Sequence, residues 1–458
     1  MSAALAGLAG LWSSVGRDPD ALGRVRFSSP DEYLPSAFRV TTAAAASTAA
    51  ATLAITDLAR PSGEAVTIDG RHAAVAFRSE HHLRIDGGPP PDPSSPLAGY
   101  YRTAGGGWVQ LHAIFEHHRT AALRALGLSE DGVDRATVEA VIAERDAVEV
   151  EMAIVEHGGC AAAMRTAAEW RSHPHGAQVD SIAVVELTRL GDAPPEPLRG
   201  PPVPGRPLAG VRVLDLTRVI AGPVCGRTLA AHGADVLRVG AARLPSIPAL
   251  VIDTGFGKRS THLDLRSPAD AEALAALVGA ADVFVQGYRP GAVASLGFGP
   301  EELAERRPGI VVVSLSAWGR AGPWAGRRGF DSLVQTASGI VEAGSRAFGV
   351  DTPLPLPAQA LDHASGYLMA FGAAVALRRR VTMGGSWHVR VSLARTGHWI
   401  TDLGQVDAIG RSDPGLDDVT DLLDAMPSTF GRLTFVRPIV GRWDRPPVPL
   451  GTDPPVWL

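Results

Sequence analysis

The sequence has 458 residues, of which 45% are hydrophobic and 20% charged, and its formal net charge is -5. That length exceeds one ordinary core and predicts two or three domains of a soluble globular chain. The acidic balance excludes a broad basic field for nucleic acid, and the lack of any apolar run of about 20 residues argues against a membrane-crossing helix.

The N-terminus, MSAALAGLAGLWSSVGRDPD, has no early basic residue, and Gly7 and Gly10 break its apolar run. This is not the pattern of a signal peptide, so a cytoplasmic location is expected. The two cysteines, Cys160 and Cys225, are too far apart for a CxxC pair, which makes a disulfide framework or a cysteine zinc site unexpected.

Two proline-rich stretches, Gly87–Pro96 and Asp192–Pro207, read as linkers because proline at that density favours extended, poorly packed chain. They leave residues 1–86, 97–191 and 208–458. In the first, residues 39–76 run as a small-residue helix, an arginine turn with glycine and a β-run. Residues 360–397 repeat that order, so the two are read as a weak internal repeat. In the second, YYRTAGGGWVQLHA predicts a hairpin turning at Gly105–Gly107. A helix-rich stretch from His117 to Arg165 follows, giving a small α+β domain.

The third segment alternates. VRVLDL (Val211–Leu216) is a buried-strand run, RVIAGP a turn, and VCGRTLAAHGA a helix stopped by glycine. Strands at DVLRV, THLDL, DVFVQGY and IVVVSLSAWG follow, with helices between them. Ser267 is placed as the cap of a helix opening at Pro268. This order predicts an α/β fold: a Rossmann-like large domain with a parallel sheet, plus the smaller α+β domain. A dinucleotide site is not expected, because the first turn lacks G-x-G-x-x-G and the second strand ends without an acidic residue.

The strongest chemical candidate is Asp362 in LDHASGYLMAFG, just before a predicted helix. An Asp there is ordinarily an N-cap; the same helix end also favours the ionised carboxylate that a nucleophile requires. His363 is adjacent. His112, His117 and His118 have no ligand-like partner set, and no metal is expected.

These residues carry a resemblance. PLAGVRVLDLTRVIAGPVCGRTLAAHGADVLRV, GKRSTHLDLRSPADAEAL, ADVFVQGYRPGAVASLGFGPEEL, GFDSLVQTASGIV and ALDHASGYLMAFGAAVALRRR resemble, in order, blocks of the class III CoA-transferase family, from Pro207 to about Gly397. The closing GRWDRPPVPLGTDP resembles its C-terminal tail. The resemblance implies a CoA-transferase with Asp362 as the nucleophile. Its coenzyme A contacts fall at Ile220 and Ala221, at Leu263, Asp264, Leu265 and Arg266, at Gly287, Tyr288 and Arg289, and at Arg328, Gly329, Phe330 and Asp331. It implies a coenzyme A thioester as substrate with no permanently bound cofactor, a carboxylic acid as acceptor, and a homodimer.

The chain departs from the family pattern at Ala241 and Ser295, where arginine is usual, and Ala241–Gly257 is shorter than usual. The order of parts is also rearranged. Residues 97–191 resemble the family's small domain yet precede the large one at 208–400. Residues 1–86 resemble a shortened large-domain copy with no carboxylate from Ser36 to Thr56, and 401–458 is a tail returning to the large domain. Two other readings stand beside CoA transfer. An acyl-CoA racemase or isomerase needs two bases, but Phe330 stands where related racemases have histidine. The other is a CoA-binding protein without catalysis.

Overall fold

The computed structural model describes residues 2–29, 32–59, 65–91, 95–201, 203–407 and 411–458. The arginine turn of the N-terminal repeat, at 60–64, and parts of both proline-rich stretches, at 92–94 and 202, lie outside them.

A seven-stranded sheet forms the centre. Its strands are β1 (Glu186–Gly191), β2 (Arg212–Leu216), β3 (Asp235–Gly240), β4 (Lys258–His262), β5 (Val283–Gln286), β6 (Val311–Ser316) and β7 (Ser386–Ser392). Their spatial order is β4-β3-β2-β5-β6-β7-β1. All neighbours are parallel except β1, which runs antiparallel along β7. The near-continuous apolar runs of β2, β5 and β6 follow from burial on both faces. Val213, Val283, Val285, Val311 and Val313 pack toward helices Ala221–Ala231 and Ala360–Met383. Leu214, Leu216, Phe284 and Val312 pack toward the opposite helices, Pro268–Val278 and Pro300–Arg306.

The strand order reverses direction between β2 and β5. In such a sheet the connections leaving the carboxyl ends of those strands diverge to opposite faces and open a crevice between them.

Several sequence expectations shift by a few residues. The third strand occupies Lys258–His262 rather than THLDL, because Lys258 and Arg259 are buried as ion pairs with Asp215 and Asp235 and so fit a strand despite their charge. The first helix opens at Ala221, inside the stretch read as a turn. Pro223 is accommodated in its first turn, where an N–H is not needed. Ser267 precedes Pro268 as expected, but its side chain makes no capping hydrogen bond.

The helix Ala360–Met383 is buried on every side through Leu377, consistent with its run of alanine and glycine. A Cβ at Gly366 would lie 2.6 Å from the Ala221 carbonyl oxygen and 2.6 Å from Val224 Cβ; one at Gly372 would lie 2.3 Å from Val389 Cγ1. The glycines therefore let this helix press against both its helical neighbour and β7.

The Ala-rich helix Val40–Ala59 packs along the same helix. It leads into strand Val66–Asp69 and helix Gly70–Ala76, capped by Asp69. The helix Ala360–Met383 leads into β7 and helix Leu393–Asp402, capped by Ser392. The two halves thus share a helix–strand–helix order.

Residues 99–163 hold the expected hairpin, Gly99–Arg102 with Trp108–Leu111, and Ala161–Ala163 extends it. Three helices, Glu116–Leu126, Arg135–Ala143 and Ala147–Glu156, cover it over a separate apolar core. The C-terminal residues return to the sheet: the Ser260 N–H donates to Asp453 Oδ2 at 2.8 Å, and Trp457 Nε1 donates to the Leu277 carbonyl at 3.0 Å.

Candidate active site

A cavity of about 570 Å³ opens at the β2–β5 crevice. Its wall contains Ile220 and Ala221 from the loop after β2, Leu263 and Leu265 from the loop after β4, and Gly287, Tyr288 and Arg289 from the loop after β5. Arg328, Gly329 and Phe330 line it as well, and Asp362 faces it from the first turn of the helix Ala360–Met383. Five stretches separated widely in sequence thus meet at one opening.

Three expected residues lie outside this wall. Asp264 and Arg266 pair with each other, Nη2 to Oδ2 at 2.6 Å, and Arg243 joins Asp264 at 3.1 Å; the Arg266 cation is engaged away from the cavity. Asp331 lies behind the wall and is almost fully buried.

The loop leading into the first helix is strained. Val219, a β-branched residue, has φ of +69°, a conformation that costs on the order of 1–3 kcal/mol and persists only where surroundings impose it. Those surroundings are polar. Lys258 Nζ donates to Asp215 Oδ2 at 2.7 Å and to the Pro223 carbonyl at 2.7 Å, and Thr217 donates to Asp215. Burial lowers the Lys258 pKa, with Asp215 opposing that shift. The chain's sole lysine thereby ties the end of β2 to the first turn of the following helix. Gly329 is required on the other wall, where a Cβ would lie 2.5 Å from Ala317 Cβ and 2.7 Å from Trp318 Nε1.

Asp362 is not the N-cap. Gln359 holds that position, without a capping side-chain bond, and Asp362 is the third helical residue. The capping acceptor comes instead from Asp331, on another helix: its Oδ2 accepts the Asp362 N–H at 2.9 Å. That N–H is therefore not available to a developing oxyanion. The Asp362 carboxyl is left facing the cavity, only 8% exposed.

Burial pushes Asp362 well above the usual carboxylate range, and the charges of Asp331 and Glu80 add to the effect. Burial likewise pushes Asp331 up to about 6, opposed by the hydrogen bonds that it accepts. The helix end was expected to hold Asp362 ionised; desolvation and a like charge outweigh it, because the end's positive pole is already matched by Asp331.

Some residues of the site were not assigned to it from the sequence. Phe115, His117 and His118, from the small α+β unit, line the same cavity as Asp362 in the same chain. His112 stacks on Phe330 with centroids 3.6 Å apart. Burial pulls His112 down to about 4 and His118 to about 3, so both rings are neutral near neutral pH. Arg218 also lines the cavity; its guanidinium lies 5.5 Å from the Phe115 ring centroid and donates to the Pro245 carbonyl. Arg328 donates to the Gly158 carbonyl at 2.7 Å. Among the described residues Arg218, Arg289 and Arg328 form no ion pair with a carboxylate, which leaves three cations at the opening for an anionic ligand. The signal for Arg218 was its place beside Ile220 at the end of β2.

No group of three or more His, Cys, Asp or Glu side chains among the described residues is arranged to hold a metal ion. No helix among them is long and apolar enough to cross a membrane.

Residues 208–414 match the family model described as CoA-transferase family III. The chain is 30% identical to an acetyl-coenzyme A transferase of Hypoxylon pulicicidum over 66% of this chain and 54% of that one. It is 34% identical to an acyl-CoA transferase of Gibberella moniliformis over 64% and 54%, and 34% identical to a probable fatty acyl-CoA transferase of Mycobacterium tuberculosis over 42% and 51%. The chain spans about half the length of these curated relatives.

Proposed function

We propose that this chain, whose residues 208–414 match the CoA-transferase family III model, moves coenzyme A from an acyl-CoA thioester to a carboxylic acid, with Asp362 as the nucleophile. The observation that carries the proposal is the placement of Asp362 on the cavity wall that Ile220, Gly287, Tyr288 and Arg328 also form, along with three arginines that have no carboxylate partner among the described residues. The Rossmann-like reading of the large domain draws support from the β2–β5 reversal, with the cavity lying beyond the carboxyl ends of those strands.

In this reading Arg218, Arg289 and Arg328 bind the phosphates, and Tyr288 offers a flat face to the adenine. An Asp362 oxygen attacks the thioester carbonyl, the C–S bond breaks, and CoA thiolate leaves an aspartyl–acyl anhydride. The thiolate then attacks the aspartyl carbonyl, expelling the donor carboxylate and leaving an aspartyl-CoA thioester. The acceptor carboxylate attacks that thioester and releases thiolate. Attack of the thiolate on the acceptor's acyl carbonyl gives the new acyl-CoA and frees Asp362.

Each intermediate is prone to hydrolysis, so the step demands a site from which water is kept. The surroundings suit this: Phe115, Phe330, Leu393 and Ile220 give apolar walls, and Asp362 is nearly buried. A carboxylate raised in pKa is also more basic, and so more nucleophilic, once ionised.

The test is incubation of the protein with a panel of acyl-CoAs and hydroxylamine, followed by peptide mass spectrometry. A hydroxamate at Asp362 that depends on acyl-CoA is expected. Transfer activity without modification of Asp362, or undiminished transfer by Asp362→Ala, would sink the mechanism.

A further inference from the structure

Asp362 and His363 are consecutive in a helix, so their side chains point about 100° apart. Asp362 faces the cavity; His363 is completely buried on another face, toward the N-terminal residues 77–82. The Phe77 ring stacks on His363 with centroids 5.4 Å apart and on Tyr367 at 6.0 Å. Glu80 Oε2 lies 3.1 Å from His363 Nε2. The short helix that carries Glu80 is anchored on its other side: Ser79 Oγ donates to Asp253 Oδ2 at 2.9 Å, and Arg227 Nη1 donates to the same oxygen at 2.8 Å. A segment distant in sequence thus grips the first turn of the helix that bears the nucleophile.

We propose that Glu80 is a positioning residue for Asp362: through His363 it fixes the first turn of the helix Ala360–Met383 and places a fixed negative charge behind the reacting carboxylate. This deepens the transferase reading and rests on Asp362 being the nucleophile. It also gives residues 1–86, which resemble a large-domain copy without its own nucleophile, a part in the chemistry.

A buried carboxylate ordinarily takes up a proton, and Glu80 needs a partner that favours its charged form. Here burial works against ionisation, but the contact with His363 opposes it and holds Glu80 down at about 2. The other charged groups around the pair are identifiable. His81 Nε2 lies 3.7 Å from Glu80 Oε1 on the same short helix, with Arg78 and His82 beside it. Asp253 and Arg227 face it from the helices Pro248–Gly255 and Ala221–Ala231 and pair with each other at 2.8 Å. Asp331 and Asp362 face it across the helix end. The Glu80 charge therefore acts on Asp362 alongside that of Asp331, and both disfavour ionisation. The consequence is a more basic nucleophile.

Glu80→Gln removes the charge and keeps the size. Expected in the acyl-CoA transfer assay are an acid limb of kcat displaced to lower pH, a kcat on the high-pH plateau lowered about 10-fold, and an unchanged KM for acyl-CoA, since Glu80 does not line the cavity. Glu80→Asp, which retains the charge, should recover part of the wild-type profile. A purely structural role would lower activity without moving the limb, and a Glu80→Gln profile superimposable on that of the wild type overturns the proposal.

If Glu80→Gln does not fold, His363→Gln reads the same effect, because Glu80 then loses the partner 3.1 Å away that favours its charged form and takes up a proton; an unmoved limb there is equally fatal. Loss of transfer in Asp362→Asn, measured in parallel, separates the two readings. If Asp362→Asn retains transfer, the nucleophile assignment fails; if it is inactive while the limb stays in place, only the role of Glu80 fails.

Discussion

Asp362 is held in an environment that disfavours the charge its proposed chemistry needs. Burial, Asp331 and Glu80 all raise its folded pKa above the unfolded value. The folded state therefore binds the proton more tightly than the unfolded chain. The stability this brings is fully present below the unfolded pKa and is lost as pH rises through the folded one. Above the unfolded pKa, the cost of ionising Asp362 inside the fold lowers the stability of the folded state. Asp362→Asn should abolish transfer and yet raise the melting temperature, by about 1–3 kcal/mol in stability, with the gain fading on acidification. Thermal unfolding across a pH series checks this, and a variant less stable than wild type at high pH contradicts it. Asp362→Glu keeps the charge but moves it by about 1 Å, so turnover should fall roughly 10²-fold.

At the scale of elements, the site depends on two close approaches. The first is between the helices Ala221–Ala231 and Ala360–Met383, which meet at Gly366, one turn from Asp362. Gly366→Ala forces its methyl against the Ala221 carbonyl and Val224. It should cost about 1–3 kcal/mol in denaturant unfolding and reduce kcat more than it raises KM, since the separation moves Asp362 relative to the loop at Ile220. The second is the tie made by Lys258 between Asp215 and Pro223. Lys258→Met leaves Asp215 buried without its cation, and a loss of about 3–5 kcal/mol is expected by the same measurement. A loss below about 1 kcal/mol would mean that Asp215 takes up a proton or finds another partner.

At the scale of the whole molecule, one cavity receives the large sheet's loops, the central helix and the small α+β unit. Under the proposed function its arginines hold the phosphates of the coenzyme. Arg218→Ala or Arg289→Ala should then raise KM for acyl-CoA roughly 10-fold with little change in kcat, and the defect should shrink at high salt as wild-type binding also weakens. Steady-state kinetics at two ionic strengths decide this. A fall confined to kcat would place these arginines elsewhere in the mechanism.

Much of the α/β pattern was legible in the residues themselves. Apolar runs such as VRVLDL and IVVVSL leave few alternatives to buried strands, and the order of strand and helix implies a parallel sheet. The loops at strand ends were readable for the same reason, but Ile220, Leu263, Gly287 and Tyr288 were singled out only through the family resemblance; the structure puts all four on the wall of one cavity. Other features depended on long-range contacts. The strand Lys258–His262 was misplaced because its charged residues become strand-like only once Asp215 and Asp235 meet them. Asp362 looked like a cap because nothing local indicates that Asp331 supplies that hydrogen bond. The convergence of Phe115, His118, Arg218 and Glu80 around the Asp362 turn has no sequence period at all. Local propensity and patterning fix elements, whereas burial and charge pairing between distant segments exist only after the chain has folded. Those interactions give Asp362 its raised pKa and Glu80 its retained charge.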